Sequence, residues 1–218
     1  MRSIESTFLT LFLIYPEKAK ISKAFITSGK GYSRIWQKAI LQTMLQCPCR
    51  KAQNESSTLL TIHRLSSMVS TFFDSFAANT TVLQDYLGDT SEARASRFRN
   101  SSGGNLLFRP VALTEYCSVA LSLVKISSLD WDSTFQTLNR LPQQINEGPW
   151  LGLIWDGEKI INRVSRPVIK ALLCYMTDCS LLSEKQRDKF YAEYSKALNI
   201  TKGQAETRLH SFREWSKK

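Results

Sequence analysis

Residues 105–155 read NLLFRPVALTEYCSVALSLVKISSLDWDSTFQTLNRLPQQINEGPWLGLIWD, and this stretch carries the most regular helical pattern in the chain. Pro110 follows Arg109 at a helix entrance, where its missing N–H costs nothing and its φ already suits the first turn. Val111, Glu115 and Tyr116, Val119, Ala120, Leu123 and Val124 then recur at helical spacing, with Thr114, Ser118 and Ser122 on the other side. Ser127 and Ser128 break the pattern and are the expected cap of a second helix, whose Trp131, Phe135 and Leu138 are spaced four and then three apart. The pair predicts a helical hairpin.

Pro142 and Pro149 bracket a polar QQINEG segment that must cross the surface. Trp150 to Trp155 is then almost continuously apolar and ends at the turn dipeptide Asp156-Gly157, which predicts a short, buried extended segment. Burial of each indole stabilises a fold by roughly 1.5–3 kcal/mol. Packing is therefore the first reading of these tryptophans, and stacking on a ligand or base the second.

The order of features here resembles the C-terminal helical part of the DGQHR-domain family, the DndB-like DNA sulfur modification proteins. The matching residues are Leu106, Leu107, Phe108, Arg109, Pro110, Leu141, Pro142, Trp150, Gly152, Leu153 and Trp155, with a last helix near Ala171 to Met176. Of these, Phe108, Pro110, Trp150, Gly152 and Trp155 are expected to be structural. Ser56 to Ile62 is similar, more loosely, to the family's serine-rich lead into a helix, and the resemblance covers about residues 50–180. The DGQHR pentapeptide itself and the ParB/sulfiredoxin-like domain that carries it are missing, so the chain is expected to be a truncated reading frame or a divergent short form. The resemblance implies a DNA-linked role in bacteria, within the phosphorothioate modification system and the regulation of its transcription, with promoter DNA and other DNA-modification proteins as partners. Any activity of the missing domain does not carry over.

The chain has 218 residues, 43% hydrophobic and 22% charged, which is ordinary for a globular protein. Its net charge of +10 is uneven. Residues 1–64 hold 10 Lys/Arg against 3 Asp/Glu, residues 65–160 hold 7 against 10, and residues 161–218 hold 12 against 6. Basic ends suit phosphate contacts, although charged helix faces are equally common on proteins that bind none.

Five cysteines, Cys47, Cys49, Cys117, Cys174 and Cys179, do not make a disulfide framework. Cys47-Pro48-Cys49 is too tight for a zinc knuckle and only His63 and His210 offer imidazoles, so neither a metal nor any other cofactor is expected. Cys117 and Cys174 lie among apolar neighbours and read as packing residues, and a reducing cytoplasm fits best. Phe8 to Tyr15 is too short to span a bilayer and is followed by no cleavage signal, which points to a buried strand and no membrane partner. The four Asn-x-Ser/Thr triplets, at Asn54, Asn79, Asn100 and Asn199, then read as chance.

The remaining chain adds helices. Glu17 to Thr27 and a stretch from Ser33 to Leu45 are predicted helical, separated by Ser28-Gly29-Lys30-Gly31, which lacks P-loop spacing. A polar linker from Arg50 to Ser57 precedes a helix over Leu59–Phe76, in which His63 reads as an ordinary interfacial residue, and a short helix over Thr80–Leu87. Gly88 to Asn105 is the most loop-like stretch, and Arg94, Arg97 and Arg99 around Phe98 are the local candidates for phosphate contacts, joined by Arg109. Ser165 with Pro167, Ser183 with Glu184, and Thr201 start three further helices.

The expected architecture is mainly α: a helical bundle with a short N-terminal strand left from an α/β domain. It divides into a basic strand-helix remnant (1–50), a helical domain (51–180) and a basic helical extension (181–218). No nucleophile–base pair or paired carboxylates suggest an enzyme. A DNA-binding accessory or regulatory protein is the leading expectation; the alternative is a helical protein-interaction module or inactive fragment that binds no DNA.

Overall fold

The computed structural model describes residues 56–91, 93–161 and 165–217, with side chains from Ser67 onward apart from that of Arg94. The strand expected over Phe8–Tyr15, the helices after it and the side chain of His63 lie outside the described residues.

Eight α-helices make up the described chain: α1 (Ser56–Ala78), α2 (Thr81–Gly88), α3 (Arg94–Phe98), α4 (Pro110–Ile126), α5 (Trp131–Asn139), α6 (Arg166–Thr177), α7 (Glu184–Leu198) and α8 (Lys202–Phe212). The fold is mainly helical, and its only β pairing among the described residues is three isolated bridges.

The centre of the molecule is α4, which starts at Pro110 after an extended Arg109. It packs along α6 on one side and against α5 on another, while α5 returns against α1. Burial of α4 is wider than the expected single face. Leu113, Cys117 and Leu121 are buried in addition to Tyr116, Val119, Ala120 and Leu123. The hydroxyls of Thr114 and Ser122 donate to the carbonyls of Pro110 and Ser118, one turn back at 2.8 and 3.0 Å, so these polar residues satisfy themselves within the helix and do not require a solvated side.

The second helix of the hairpin is capped by Asp130, which accepts from the Ser133 N–H at 2.7 Å, and not by the serines before it. Ser128 instead takes a left-handed φ of 53° and reverses the chain. Phe135 of α5 meets Phe72 and Phe76 of α1 at 5.2 and 4.8 Å between ring centroids, one edge-on and one tilted.

Gly148–Trp150 forms a single 3-10 turn, and the residues after it are not the extended segment that their apolar run predicts. Left-handed φ values at Gly148, Gly152 and Gly157 (57°, 82° and 112°) turn the chain three times within ten residues, leaving room only for single bridges. Packing is nonetheless the role of the indoles. Trp150 is fully buried, with its Nε1–H donating to the Pro142 carbonyl at 2.7 Å, and Trp155 is also buried.

The last two helices each begin with a capping box, Ser183 with Gln186 and Thr201 with Gln204. They contribute Phe190, Tyr194, Ala205 and Leu209 to the same core as α4 and α6. Arg208 ties α8 to the tryptophan turn by donating to the carbonyls of Gly148 and Leu151 at 3.3 and 3.0 Å. Behind it, Ser216 donates to the Thr177 carbonyl at 3.0 Å, and Arg140 donates to the Ser216 carbonyl at 3.2 Å.

Candidate functional site

Within the Gly88–Asn105 stretch, Phe98 of α3 and the Gly103–Asn105 turn are folded down against the core, while most of the other described residues stay exposed. Phe98, at the end of α3, is buried and stacks on Phe108 at 4.8 Å and 17°, with the Tyr86 ring edge-on at 5.6 Å. Its ring is occupied from within and does not stand between the arginines as a stacking surface. Gly104 permits this closure. At φ 77° it lies so close to α3 that a Cβ would fall 2.3 Å from the Phe98 carbonyl oxygen, and the next residue, Asn105, donates its N–H to that same oxygen at 2.9 Å.

The four candidate arginines consequently differ. Arg97 projects from α3 with its side chain 64% exposed, paired through Nη1 with Asp89 and lying 5.8 Å over the Phe98 ring. The Asp89 carboxyl is held below its ordinary range by hydrogen bonds from Ser91, with Arg97 adding to the effect. Arg109 donates from Nη2 to the Gly103 carbonyl and so clamps the glycine turn against the start of α4. Arg99, the residue after α3, is half-buried, and Arg94 opens α3. Of the residues expected to be structural, Phe108, Trp150 and Trp155 are core, Pro110 is at the first turn of α4, and Gly152 lies where a Cβ would meet Leu198 of α7 at 2.9 Å.

A second basic feature is built by α7. Phe190 and Tyr194 face the core. Lys185, Lys189 and Lys196 fall within about 40° of one another at about 100° per residue, on the opposite side of the helix. All three are exposed, and only Lys189 has an ion-pair partner on this helix, Glu193 at 3.7 Å. Their spacing of four and seven residues was open to sequence reading as a lysine stripe.

Between α2, α3 and the corner after α5 lies an open polar groove of about 310 Å³, into which Asp85, Arg97, Asn139, Gln143 and Gln144 project. Its walls come from three separate segments, the outer two more than fifty residues apart, so no local motif announces it. Among the described residues, no group of three or more His, Cys, Asp or Glu is placed to hold a metal ion. No helix among them is long and apolar enough to cross a membrane.

No family model, curated protein or solved structure matches this chain.

The charge of the described body is mild. Residues 56–217 hold 19 Lys/Arg against 16 Asp/Glu, while the first 55 residues hold 9 against 3. Basic character in the folded part is thus a matter of local arrangement, as in the α7 stripe, whose helix also carries Glu184, Asp188 and Glu193.

Proposed function

We propose that this chain is a DNA-binding accessory or regulatory protein, as its resemblance to the DndB-like family implies. The α7 lysine stripe meets DNA phosphates. The observation that carries the reading is the stripe itself: three exposed lysines directly opposite the Phe190–Tyr194 face that anchors their helix to the core. A packed helix fixes the spacing of the three ammonium groups along one side, and phosphate neutralisation supplies most of the affinity of such contacts.

The test is a titration of duplex DNA at two salt concentrations with the unaltered chain, with Lys185/Lys189/Lys196→Ala and with Arg94/Arg97/Arg99→Ala. Affinity should fall steeply with salt, and loss of the three lysines should reduce the slope of log affinity against log salt by up to about 3. A folded chain that binds no duplex at low salt sinks the reading.

A helical protein-interaction module is the second reading; among the described residues, Ile126 at 65% and Leu151 at 41% exposure are the large apolar side chains a partner could cover. It predicts partner binding that is insensitive to salt and to the lysine substitutions.

A further inference from the structure

The groove beside Arg97 has a floor whose side chains are fixed by one another. Asn139 Oδ1 accepts from the Thr81 N–H at 3.1 Å and from Gln143 Nε2 at 3.3 Å, while its Nδ2 donates to Thr81 Oγ1 at 3.0 Å. Gln143 Oε1 in turn accepts from Asn105 Nδ2 at 3.3 Å. These bonds set which end of each amide is a donor and still leave one N–H on Asn139 and one on Gln143. On the walls, the side chains of Asp85 and Gln144 make no hydrogen bond to another described residue, and Arg97 commits only Nη1, to Asp89. The groove therefore offers a carboxylate acceptor, several amide donors and a guanidinium, backed by the apolar Val82 and the buried Phe98.

Size and charge narrow the occupant. A volume of about 310 Å³ is at the small end of ligand sites, which run roughly 300–1,000 Å³, and admits a nucleoside but no helix or base pair. Among the described residues, Arg97 is the one cation of the lining and is already paired with Asp89, while Asp85 lines the same groove, so no unbalanced positive charge is left for a phosphate. A base edge fits better. Asp accepts from the amino group of cytosine, and Asn or Gln side chains pair with the amino and ring-nitrogen edge of adenine, whereas thymine and uracil have no amino group and their one donor on that edge, the N3–H, lies between two carbonyls that a carboxylate repels.

We infer that this groove binds a single unpaired nucleobase whose pairing edge sets an amino group beside an acceptor ring nitrogen, adenine or cytosine, with Asp85 accepting from the amino group and the Gln144 amide donating to the ring nitrogen. The inference rests on the nucleic-acid reading above and extends it to single-stranded or free nucleosides, because paired bases do not enter.

The experiment measures binding of labelled oligo-dC, oligo-dA and oligo-dT to the full chain, with cytidine, adenosine and uridine as competitors and circular dichroism as the folding control. Oligo-dC and oligo-dA should bind about tenfold tighter than oligo-dT. Asp85→Asn and Gln144→Ala should remove that preference, whereas Lys185/Lys189/Lys196→Ala should weaken all three oligonucleotides alike and leave the preference intact. Competition by cytidine or adenosine identifies a free nucleoside as ligand; selective strand binding without such competition identifies the strand as the source. Equal affinity for oligo-dT, or a preference that survives both groove substitutions in folded protein, overturns the inference. Duplex binding without base preference overturns the groove assignment alone, and base preference without duplex binding overturns the duplex reading alone.

Discussion

Glu115 sits on the central helix with its side chain only 13% exposed and its carboxylate 4.0 Å from Arg166. Burial raises its pKa above the ordinary carboxylate value, and Arg166 and Lys170 only partly offset this. The folded state then holds the proton at pH values where the unfolded chain has lost it. Stability is accordingly greatest below the unfolded pKa and falls as pH rises through the folded one. Glu115→Gln should raise the melting temperature at pH 7 and change it little at pH 4; a variant less stable at pH 7 would show that the Arg166 contact outweighs the burial. Burial also governs the thiols, pushing Cys117 up to about 12 and Cys174 up to about 11, so both remain protonated packing residues at neutral pH. That role was readable from their apolar neighbours. Phe98 was less readable, because an aromatic between arginines has the same sequence whether it faces a base or the inside of the fold.

Helix ends were the most legible elements, since their signals are local. Pro110, Ser165 with Pro167, Ser183 and Thr201 all mark starts that the structure keeps. Ser183→Ala removes an acceptor for the Gln186 N–H and breaks the capping box. It should cost about 0.5–2 kcal/mol, read as a lower urea midpoint with an unchanged m-value, and restored by Ser183→Asp. A null result would mean that α7 is held by Phe190 and Tyr194 alone. The tryptophan turn is buried, as its apolar run predicts, but it is not extended. An apolar run between turn residues suits a strand and a coiled turn equally, and the three left-handed glycines decide for the turn.

At the scale of the molecule, stability rests on one aromatic and aliphatic core that joins α1, α4, α5 and α6 to the C-terminal helices. Phe135 is fully buried at its centre, touching Phe72, Phe76 and Trp131. Phe135→Ala should therefore destabilise the fold by about 3–5 kcal/mol, a large share of the roughly 5–15 available to a domain. Denaturant unfolding followed by tryptophan fluorescence checks this, and a loss below about 1 kcal/mol would place Phe135 outside the cooperative core. By itself, the sequence determined the helical class, the starts marked by Pro110, Ser165 with Pro167, Ser183 and Thr201, and the burial of Trp150 and Trp155. Each follows from spacing or backbone chemistry within a few residues. Only the tertiary structure decided that α4 is buried on more than one side, that Phe98 closes inward on Phe108, and that Asp85 shares a groove with Asn139 and Gln144. Those outcomes depend on which helices come to lie together, a choice made by long-range packing that local spacing does not encode.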